Sequence, residues 1–338
     1  MTDICRLLRP DEATDLVCAV REMFGETYPD KLFYDAEELA ARISRGSLLS
    51  MGAFKDDGTL FGHLSAVLDD HSLPYLYCGF VLPAYRGHNI LQGLMLAIID
   101  TCRASGAVGI QLEVVCSHPA AQKQTERVGG RVVGYLCACI PPTVAYSEGA
   151  CAGKAWNNTF YYFIPLSQGG TERVWLPDSL HKVVHEIYDE LGIVREIMSP
   201  ASAQSVSIPV CEESLGEINI SRSSGWNVGS VEIRSYGHGL VEKLTNALET
   251  MHDQGVSCRH VMLPLHHPQA LVLAESCLKA GYGFGALIPR LVPEGDVLLL
   301  QRFDQDRFHT ELDICVSDYA QRIRALCLDT VGISAFPG

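Results

Sequence analysis

A segment of the chain that begins at Leu91 recurs 149 residues later, and this internal repeat constrains the fold more than any other feature. Residues 91–121 align with residues 240–270 without a gap, and six of the 31 positions are identical. Both segments predict an amphipathic helix, a glycine that ends it, a strand, a His-Pro dipeptide and a second helix. Two copies of one supersecondary unit explain this spacing, and a coincidence between two ordinary segments is the alternative.

The elements expected around the first copy define a mixed fold. Periodicity and turn residues over residues 4–166 predict the order β α α β β β α β α β β, with a hairpin that turns at Asp56-Asp57-Gly58. This order is typical of a mixed α/β layer and not of a doubly wound sheet. Further strands are expected at about residues 205–210, 215–221 and 229–234. The length of 338 residues suits two domains, which we expect at residues 1–170 and 171–338.

Charge and cysteine usage exclude several classes of partner. Aspartate and glutamate number 40 against 26 lysines and arginines, and this acidic balance argues against a nucleic-acid or membrane surface. The apolar stretches are far shorter than the ~18 residues of a membrane span. The 13 cysteines lie mostly in apolar runs and form no CxxC pair, so we expect free thiols in a reducing, cytoplasmic compartment. HExxH is absent as well, and no metal site is expected.

Residues 80–91, with the sequence FVLPAYRGHNIL, carry the strongest functional signal. A strand is expected to end at Pro83, a tight turn follows, and a helix begins at about Ile90. Such a junction points unpaired N–H groups and the positive helix end at one spot. Gly87 allows a ligand to approach the backbone, and Arg86 offers a bidentate charge to phosphate. Together these features suit a diphosphate, although neither the Walker A motif nor GxGxxG is present.

The pattern Val-x-Pro-x-Tyr-Arg-Gly-x-Asn-Ile-Leu over residues 81–91 resembles the pyrophosphate loop of the GNAT superfamily, the acyl-CoA-dependent N-acyltransferases. The order of elements over residues 4–166 is similar to that of the family as well. The resemblance implies acetyl-CoA, or another acyl-CoA, as co-substrate, with its pantetheine between the strands at 75–82 and 110–115. The cofactor-binding residues that it implies are Val81, Leu82, Arg86, Gly87, His88, Asn89, Ile90 and Leu91.

Three positions depart from the family pattern. Asn89 stands where a glycine is usual, and asparagine tolerates the left-handed backbone conformation that this position needs. Leu91 stands where glycine or alanine is usual. Thr125 occupies the column of a tyrosine that often protonates the leaving thiolate, and a threonine hydroxyl is a weaker acid than a phenol. Acid catalysis is therefore expected from another group or from water, or it is absent.

The resemblance also implies a fold class, an α/β (α+β) chain of two GNAT-like domains, each with a central, mostly antiparallel sheet flanked by helices. The 149-residue offset, extended to the turn, places Ser235 at the position of Arg86, Tyr236 at that of Gly87 and Glu232 at that of Pro83. The second copy thus lacks the arginine and carries an anion instead. We expect residues 171–338 to be a degenerate domain that does not bind CoA.

N-acyl transfer needs a base that removes a proton from the amine. Glu113 is the first candidate, and the alternative is a carboxylate that faces away from the cleft. His118 is the second candidate, because a helix start lowers the proton affinity of an imidazole; its alternative is helix capping, since His267 repeats it. Three further side chains are candidate pocket walls or ordinary strand packing: Tyr75, Tyr77 and His63.

The expected function is transfer of an acetyl or other short acyl group to a primary amine of a small molecule or a peptide. Acidic residues near Tyr28 weakly favour a cationic acceptor, but the sequence does not identify it. One alternative is a non-catalytic acyl-CoA sensor, which the threonine at position 125 favours. Another is a structural or dimerisation protein on the same fold, and a homodimer is compatible with each of these functions.

Overall fold

The computed structural model describes residues 4–68, 73–143, 155–167, 170–199, 214–223 and 225–333. The strands of the first half are β1 (Ile4–Leu7), β2 (Leu48–Phe54), β3 (Leu60–Val67), β4 (Tyr75–Val81), β5 (Gly109–Val115), β6 (Arg131–Ile140) and β7 (Asn157–Pro165). Its helices are α1 (Ala13–Phe24), α2 (Ala36–Arg45), α3 (Ile90–Ala104) and α4 (Pro119–Arg127). These bounds lie within a few residues of those predicted from the sequence.

The second half contains seven further strands and four α-helices within the described ranges. Its strands are β8 (Glu172–Trp175), β9 (Arg195–Met198), β10 (Glu217–Ser223), β11 (Val228–Ser235), β12 (Cys258–Pro264), β13 (Gly283–Val292) and β14 (Gly295–Phe303). Its helices are α5 (His181–Leu191), α6 (Leu240–Asp253), α7 (Gln269–Lys279) and α8 (Asp318–Thr330). The strand expected at residues 205–210 lies outside the described residues. None of the helices in the described ranges is long and apolar enough to cross a membrane.

Twelve strands form one continuous sheet in the order β1-β2-β3-β4-β5-β7-β6-β13-β14-β12-β11-β10. All neighbours in it are antiparallel except two pairs, β4 with β5 and β11 with β12. The remaining strands, β8 and β9, pair with each other. The predicted mixed, mostly antiparallel architecture is therefore confirmed.

The strand order β3-β4-β5-β7-β6 of the first half recurs as β10-β11-β12-β14-β13 in the second. Irregularities of the backbone recur with it. Ala138 in β6 has a φ of 49°, and Arg290, at the matching place in β13, has a φ of 55°. The helix that follows the parallel strand starts after a left-handed residue in both halves, Asn89 before α3 and Gly239 before α6. Such shared exceptions support a repeated unit more strongly than the six sequence identities do.

The structure corrects the residue correspondence at the turn. Leu76 pairs with Leu112, and Val231 pairs with Val261 at the same step of the parallel ladder. Equivalent residues are thus 149 positions apart in β5 and β12 but 155 positions apart in β4 and β11. The ungapped matches of Ser235 with position 86, of Tyr236 with 87 and of Glu232 with 83 are wrong, because the connection from β11 to α6 is shorter than that from β4 to α3.

The long sheet is strongly curved. Neighbouring strands lie about 4.8 Å apart, so β4 and β11, seven positions apart, would be roughly 34 Å apart in a flat sheet. Tyr77 on β4 and Ser230 on β11 nevertheless line one cavity. The Tyr28 ring, in the loop after α1, also meets the Trp226 ring, just before β11, edge-on with 6.2 Å between centroids. The curvature brings the two halves together around the candidate site.

Candidate active site

A bulge in β4 opens the sheet. Parallel pairing of β4 with β5 is limited to Tyr75 with Gln111 and Leu76 with Leu112. Beyond it Cys78 has a φ of 50°, a left-handed conformation that non-glycine residues rarely adopt, and the register with β3 shifts by one residue. The strand therefore turns away from β5, and a wedge-shaped gap forms between the two strands.

His63 supports this bulge from behind. Its Nδ1 lies 2.9 Å from the carbonyl oxygen of Cys78, so Nδ1 carries the proton and donates it. Its Nε2 then accepts from the hydroxyls of Ser50, at 2.7 Å, and Ser65, at 3.1 Å. Burial lowers the pKa of His63 to about 4, and the ring is neutral near pH 7. The His63 ring does not line the cavity. Of the two roles expected from the sequence, a pocket wall or packing within the strand, the structure supports packing.

The gap opens into a cavity of about 800 Å³. The cavity is lined by six of the eight residues that the resemblance implied: Val81, Arg86, Gly87, Asn89, Ile90 and Leu91. The other two lie elsewhere. Leu82 is buried in the core, and its N–H donates to the carbonyl of Phe61, whereas the side chain of His88 is exposed.

The turn before α3 has the geometry of an anion site. Gly87 has a φ of 90°, and a methyl group there would meet nothing within 4 Å, so the backbone conformation rather than packing requires glycine. Asn89 adopts the left-handed conformation expected for it, with a φ of 56°. The helix begins at Ile90, and its first N–H groups have no partner within the helix. Arg86 donates from Nε to the carbonyl of Val81 at 3.2 Å, which holds its charge beside the gap.

A polar group on α4 faces the same cavity. The Oε1 atom of Gln124 is buried and accepts no hydrogen bond from the part of the chain that the structure describes. A buried acceptor without a donor is costly, and an amide N–H of a ligand chain would satisfy it. The turn, with its N–H groups and its arginine, and this amide oxygen together fit a molecule that joins a diphosphate to an amide-bearing chain.

Glu113 lines the cavity where the gap begins. Its Oε1 accepts from the Tyr75 hydroxyl at 3.2 Å, and its Oε2 accepts from the Thr159 hydroxyl at 3.0 Å. Burial raises the pKa of this carboxyl, and the two hydroxyl donors offset part of the increase. The side chain faces inward, so the alternative of an outward carboxylate does not apply. Tyr75 and Tyr77 both line the cavity, as expected of pocket walls.

His118 also lines the cavity. It stands at the start of α4 but makes no side-chain capping bond, whereas Nδ1 of His267 accepts from the N–H of Gln269 in the second half. Capping therefore accounts for His267 and not for His118. Burial, and after it the charge of Arg86, lowers the pKa of His118. A neutral imidazole is thus available in the cavity near pH 7.

Thr125 lines the cavity at the position that a tyrosine usually occupies in the family it resembles. Its hydroxyl donates to the carbonyl of Ala121 at 3.0 Å, one turn earlier in the same helix. The proton of this hydroxyl is thus engaged within the helix. The geometry supports the expectation that acid catalysis, where needed, depends on another group.

The sequence analysis missed the contribution of the second half to this cavity. Its wall includes Ser223, Trp226, Val228, Ser230 and His260. Their distance from the turn along the chain hides this role. A tryptophan between two expected strands, in the sequence Ser-Gly-Trp-Asn, was the one available signal of an unusual side chain in a connection.

The matching place in the second half has a smaller cavity of about 480 Å³, with Glu232, Tyr236 and Met262 in its wall. Parallel pairing of β11 with β12 continues through Glu232 and Met262, one step further than that of β4 with β5. The register of β11 with β10 also shifts by one residue, between Ile233 and Ser235, but neither residue has the positive φ of Cys78. Met262 occupies the position of Glu113 in the ladder. The Tyr236 hydroxyl donates to the carbonyl of Pro264 on the opposite strand, and its ring stacks on His267 with 4.6 Å between centroids. Tyr236 thus bridges the strands where the first half is open.

Comparison with known proteins gives one sequence family and a set of structures. The model of the acetyltransferase (GNAT) family matches residues 13–130. No curated protein sequence matches the chain significantly.

Similar solved structures cover about half of the chain. Among them is the ribosomal-protein-S18-alanine N-acetyltransferase from Escherichia coli, at 15% identity and a TM-score of 0.40 over 50% of this chain and 97% of that one. Another is the phosphinothricin acetyltransferase from Sinorhizobium meliloti in complex with AcCoA, at 19% identity and a TM-score of 0.40 over 50% and 91%. An acetyltransferase of the GNAT family from Streptococcus pneumoniae matches at 18% identity and a TM-score of 0.41 over 48% and 99%. The family model covers the strand, turn and helix that form the open gap, and residues 13–130 therefore belong to the acetyltransferase (GNAT) family.

Proposed function

We propose that the chain is an acyl-CoA-dependent N-acyltransferase that moves an acetyl or other short acyl group to a primary amine. One observation carries the proposal: the gap that the Cys78 bulge opens leads from the anion-binding turn at Arg86 to the carboxylate of Glu113. Family membership of residues 13–130 supports the same reaction class.

The residues around the gap fit an acyl-CoA. Arg86, Gly87 and the first N–H groups of α3 suit its diphosphate. Gln124 and the backbone of β4 beyond the end of its pairing with β5 suit the amides of pantetheine. When bound, the co-substrate supplies an acyl group that is activated as a thioester.

Glu113 is the proposed general base. An ammonium group has no lone pair for attack, so the acceptor amine must lose a proton first. The hydroxyls of Tyr75 and Thr159 each donate to one oxygen of Glu113 and hold the carboxylate in one orientation. Its raised pKa brings its proton affinity closer to that of the amine than an exposed glutamate would have. His118 is the second candidate for this role.

We assign the catalytic role to residues 1–170, and we propose that residues 171–338 form a degenerate GNAT-like domain that binds no CoA. The longer parallel pairing of β11 with β12, the smaller cavity beside it, the shorter turn and Met262 at the position of Glu113 support this division. A non-catalytic acyl-CoA sensor is the second candidate function, and the engaged hydroxyl of Thr125 favours it.

Release of the free thiol from acetyl-CoA over a panel of primary amines tests the proposal. We expect amine-dependent thiol release, and we expect Glu113→Gln to lower it about 10²-fold, the usual scale for loss of a general base. Glu232→Gln is the matched control, because it changes a carboxylate in the parallel pair of β11 with β12. It should leave the rate unchanged. Acetyl-CoA binding without thiol release for any amine would instead support the sensor.

A further inference from the structure

The cavity wall beside Glu113 is built from aromatic rings of both halves. The Trp226 ring contacts the Tyr28 ring, and Tyr28 in turn contacts Phe33 with 5.6 Å between centroids. Phe33 contacts Tyr77 at 5.1 Å, and Tyr77 contacts Tyr75 at 6.1 Å. Trp226, Tyr28, Tyr77 and Tyr75 face the cavity, while Phe33 is fully buried behind them. The series ends at the hydroxyl that donates to Glu113.

The charges near these rings are negative. Glu113 and Asp30 are the acidic groups of the cavity wall among the described residues, and Arg86, its one arginine there, belongs to the turn. His260 from the second half also faces the cavity, and burial lowers its pKa to about 4, so it is neutral near pH 7. An aromatic wall with carboxylates and neutral imidazoles suits a cation that has an apolar body.

The aromatic end of the cavity lies where the two halves contact each other. Gly225 lies against Pro29 so closely that a methyl group on it would be 2.9 Å from the Pro29 carbonyl oxygen. The second half also lies close to the proposed base, because His260 lines the same cavity as Glu113. A long polymer would need an open groove here, whereas a small molecule would not.

From these contacts we propose that the second half supplies the acceptor site, and that the acceptor is a small primary amine carried on an aromatic ring by a short alkyl chain. This inference rests on the proposed function. The ring of the acceptor packs against the aromatic wall that extends from Trp226 to Tyr75, and its amine nitrogen faces Glu113. Trp226 is thus a specificity-determining residue contributed by a half of the chain that has no base of its own.

The test compares three acceptors with acetyl-CoA in the full chain: 2-phenylethylamine, spermidine and a short peptide with a free alanine N-terminus. Thiol release measures turnover, and calorimetry measures binding of acetyl-CoA and of 2-phenylethylamine. We expect 2-phenylethylamine to have the highest kcat/KM and to bind the wild-type protein directly. Trp226→Ala should raise its KM about ten-fold or more and leave the acetyl-CoA Kd unchanged, and Trp226→Phe should recover most of the loss.

Trp156→Ala is the matched control, because this tryptophan lies outside the cavity wall and contacts Arg307. Preference for spermidine or the peptide over 2-phenylethylamine would overturn the inference and leave the N-acyltransferase function standing. Equal effects of Trp226→Ala on all three acceptors would also overturn it, since a merely structural residue behaves in that way. Absence of acetyl-CoA binding and of thiol release with every amine would refute the proposed function, and the inference with it.

Discussion

Gly134 in β6 pairs with Ala286 in β13, and the two residues occupy the same position in the two halves of the sheet. Each follows the same one-residue bulge, at Val133 in the first half and at Gly285 in the second. The internal two-fold axis therefore passes through this pair. Around it the amide of Gln301 takes the place of further ladder bonds: its Oε1 accepts from the N–H of Cys137, and its Nε2 donates to the carbonyls of Tyr135 and Phe284.

The pair leads to a prediction about stability. A methyl group on Gly134 would lie 2.3 Å from the carbonyl oxygen of Gly285, and backbone cannot yield as a flexible side chain does. We expect Gly134→Ala to lower the free energy of unfolding by about 2 kcal/mol, within the range for overpacked sites. Ala286→Gly is the matched control and should cost about 1 kcal/mol or less. Urea titration measures both, and equal effects would contradict the close approach.

A second prediction concerns acyl-CoA affinity. Arg86→Ala should weaken acetyl-CoA binding by roughly 1.5–3 kcal/mol, the range for a lost hydrogen bond to a charged group. Arg234→Ala removes an arginine from the end of β11 in the second half and should have no effect. Calorimetry on both variants gives the answer, with one acetyl-CoA bound per wild-type chain. An unchanged Kd for Arg86→Ala would rule out the assigned turn, and two equivalent sites would show that the second half binds acetyl-CoA as well.

The protonation of Glu113 couples activity to stability. Its pKa is raised in the folded protein, so its contribution to stability is complete below about pH 4.5 and is lost as the pH rises through the folded pKa. Under the proposed function, the ionised form is also the form that accepts a proton from the amine. Over the same pH window we expect turnover to rise and the melting temperature of Glu113→Gln to increase relative to wild type. If the melting temperatures of the variant and the wild type differed by the same amount at every pH, ionisation of Glu113 would not lower the stability of the folded protein.

His63 gives a prediction for acidic pH. Its pKa is about 4 when folded and about 6.5 when unfolded, so the unfolded chain takes up a proton first as the pH falls. The stability that the neutral ring provides is present above pH 6.5 and is lost between pH 6.5 and 4, by about 3 kcal/mol. Denaturant titrations at several pH values should show a flatter dependence for His63→Asn, which retains a donor for Cys78. His185→Asn, at an exposed position, should keep the wild-type slope.

Local features of the site were predictable from the sequence. The apolar positions of α3 occur at helical spacing, and those that this spacing places on the core face are buried, with the exception of the half-buried Leu91: Leu94, Met95, Ile98, Ile99 and Cys102. The left-handed conformation of Asn89 followed from the residue type. Glu113 and Tyr75 were both candidates from the sequence. In the structure Tyr75 pairs with Gln111, and Glu113, two residues further along β5, points to the same face of the sheet.

Other features depend on contacts that a linear pattern does not contain. Cysteine has no preference for a positive φ, so nothing marked Cys78 as the bulge that opens the gap. His63 was recognisable as a strand residue, but its bond to the Cys78 carbonyl crosses to the neighbouring strand. The contact of Tyr28 with Trp226 depends on the curvature of twelve strands, and the shorter connection after β11 was concealed by an alignment without gaps.

The junction at Gly134 also determines how the chain can be divided. If the first half were produced alone, β6 would become an edge strand, and the backbone groups of Tyr135 and Cys137 that now bind Gln301 would lose those partners. The segment Val132–Ile140 is apolar along almost its whole length, and an exposed strand of this kind is a template for aggregation. The second half thus covers this edge of the first, because β13 pairs with β6.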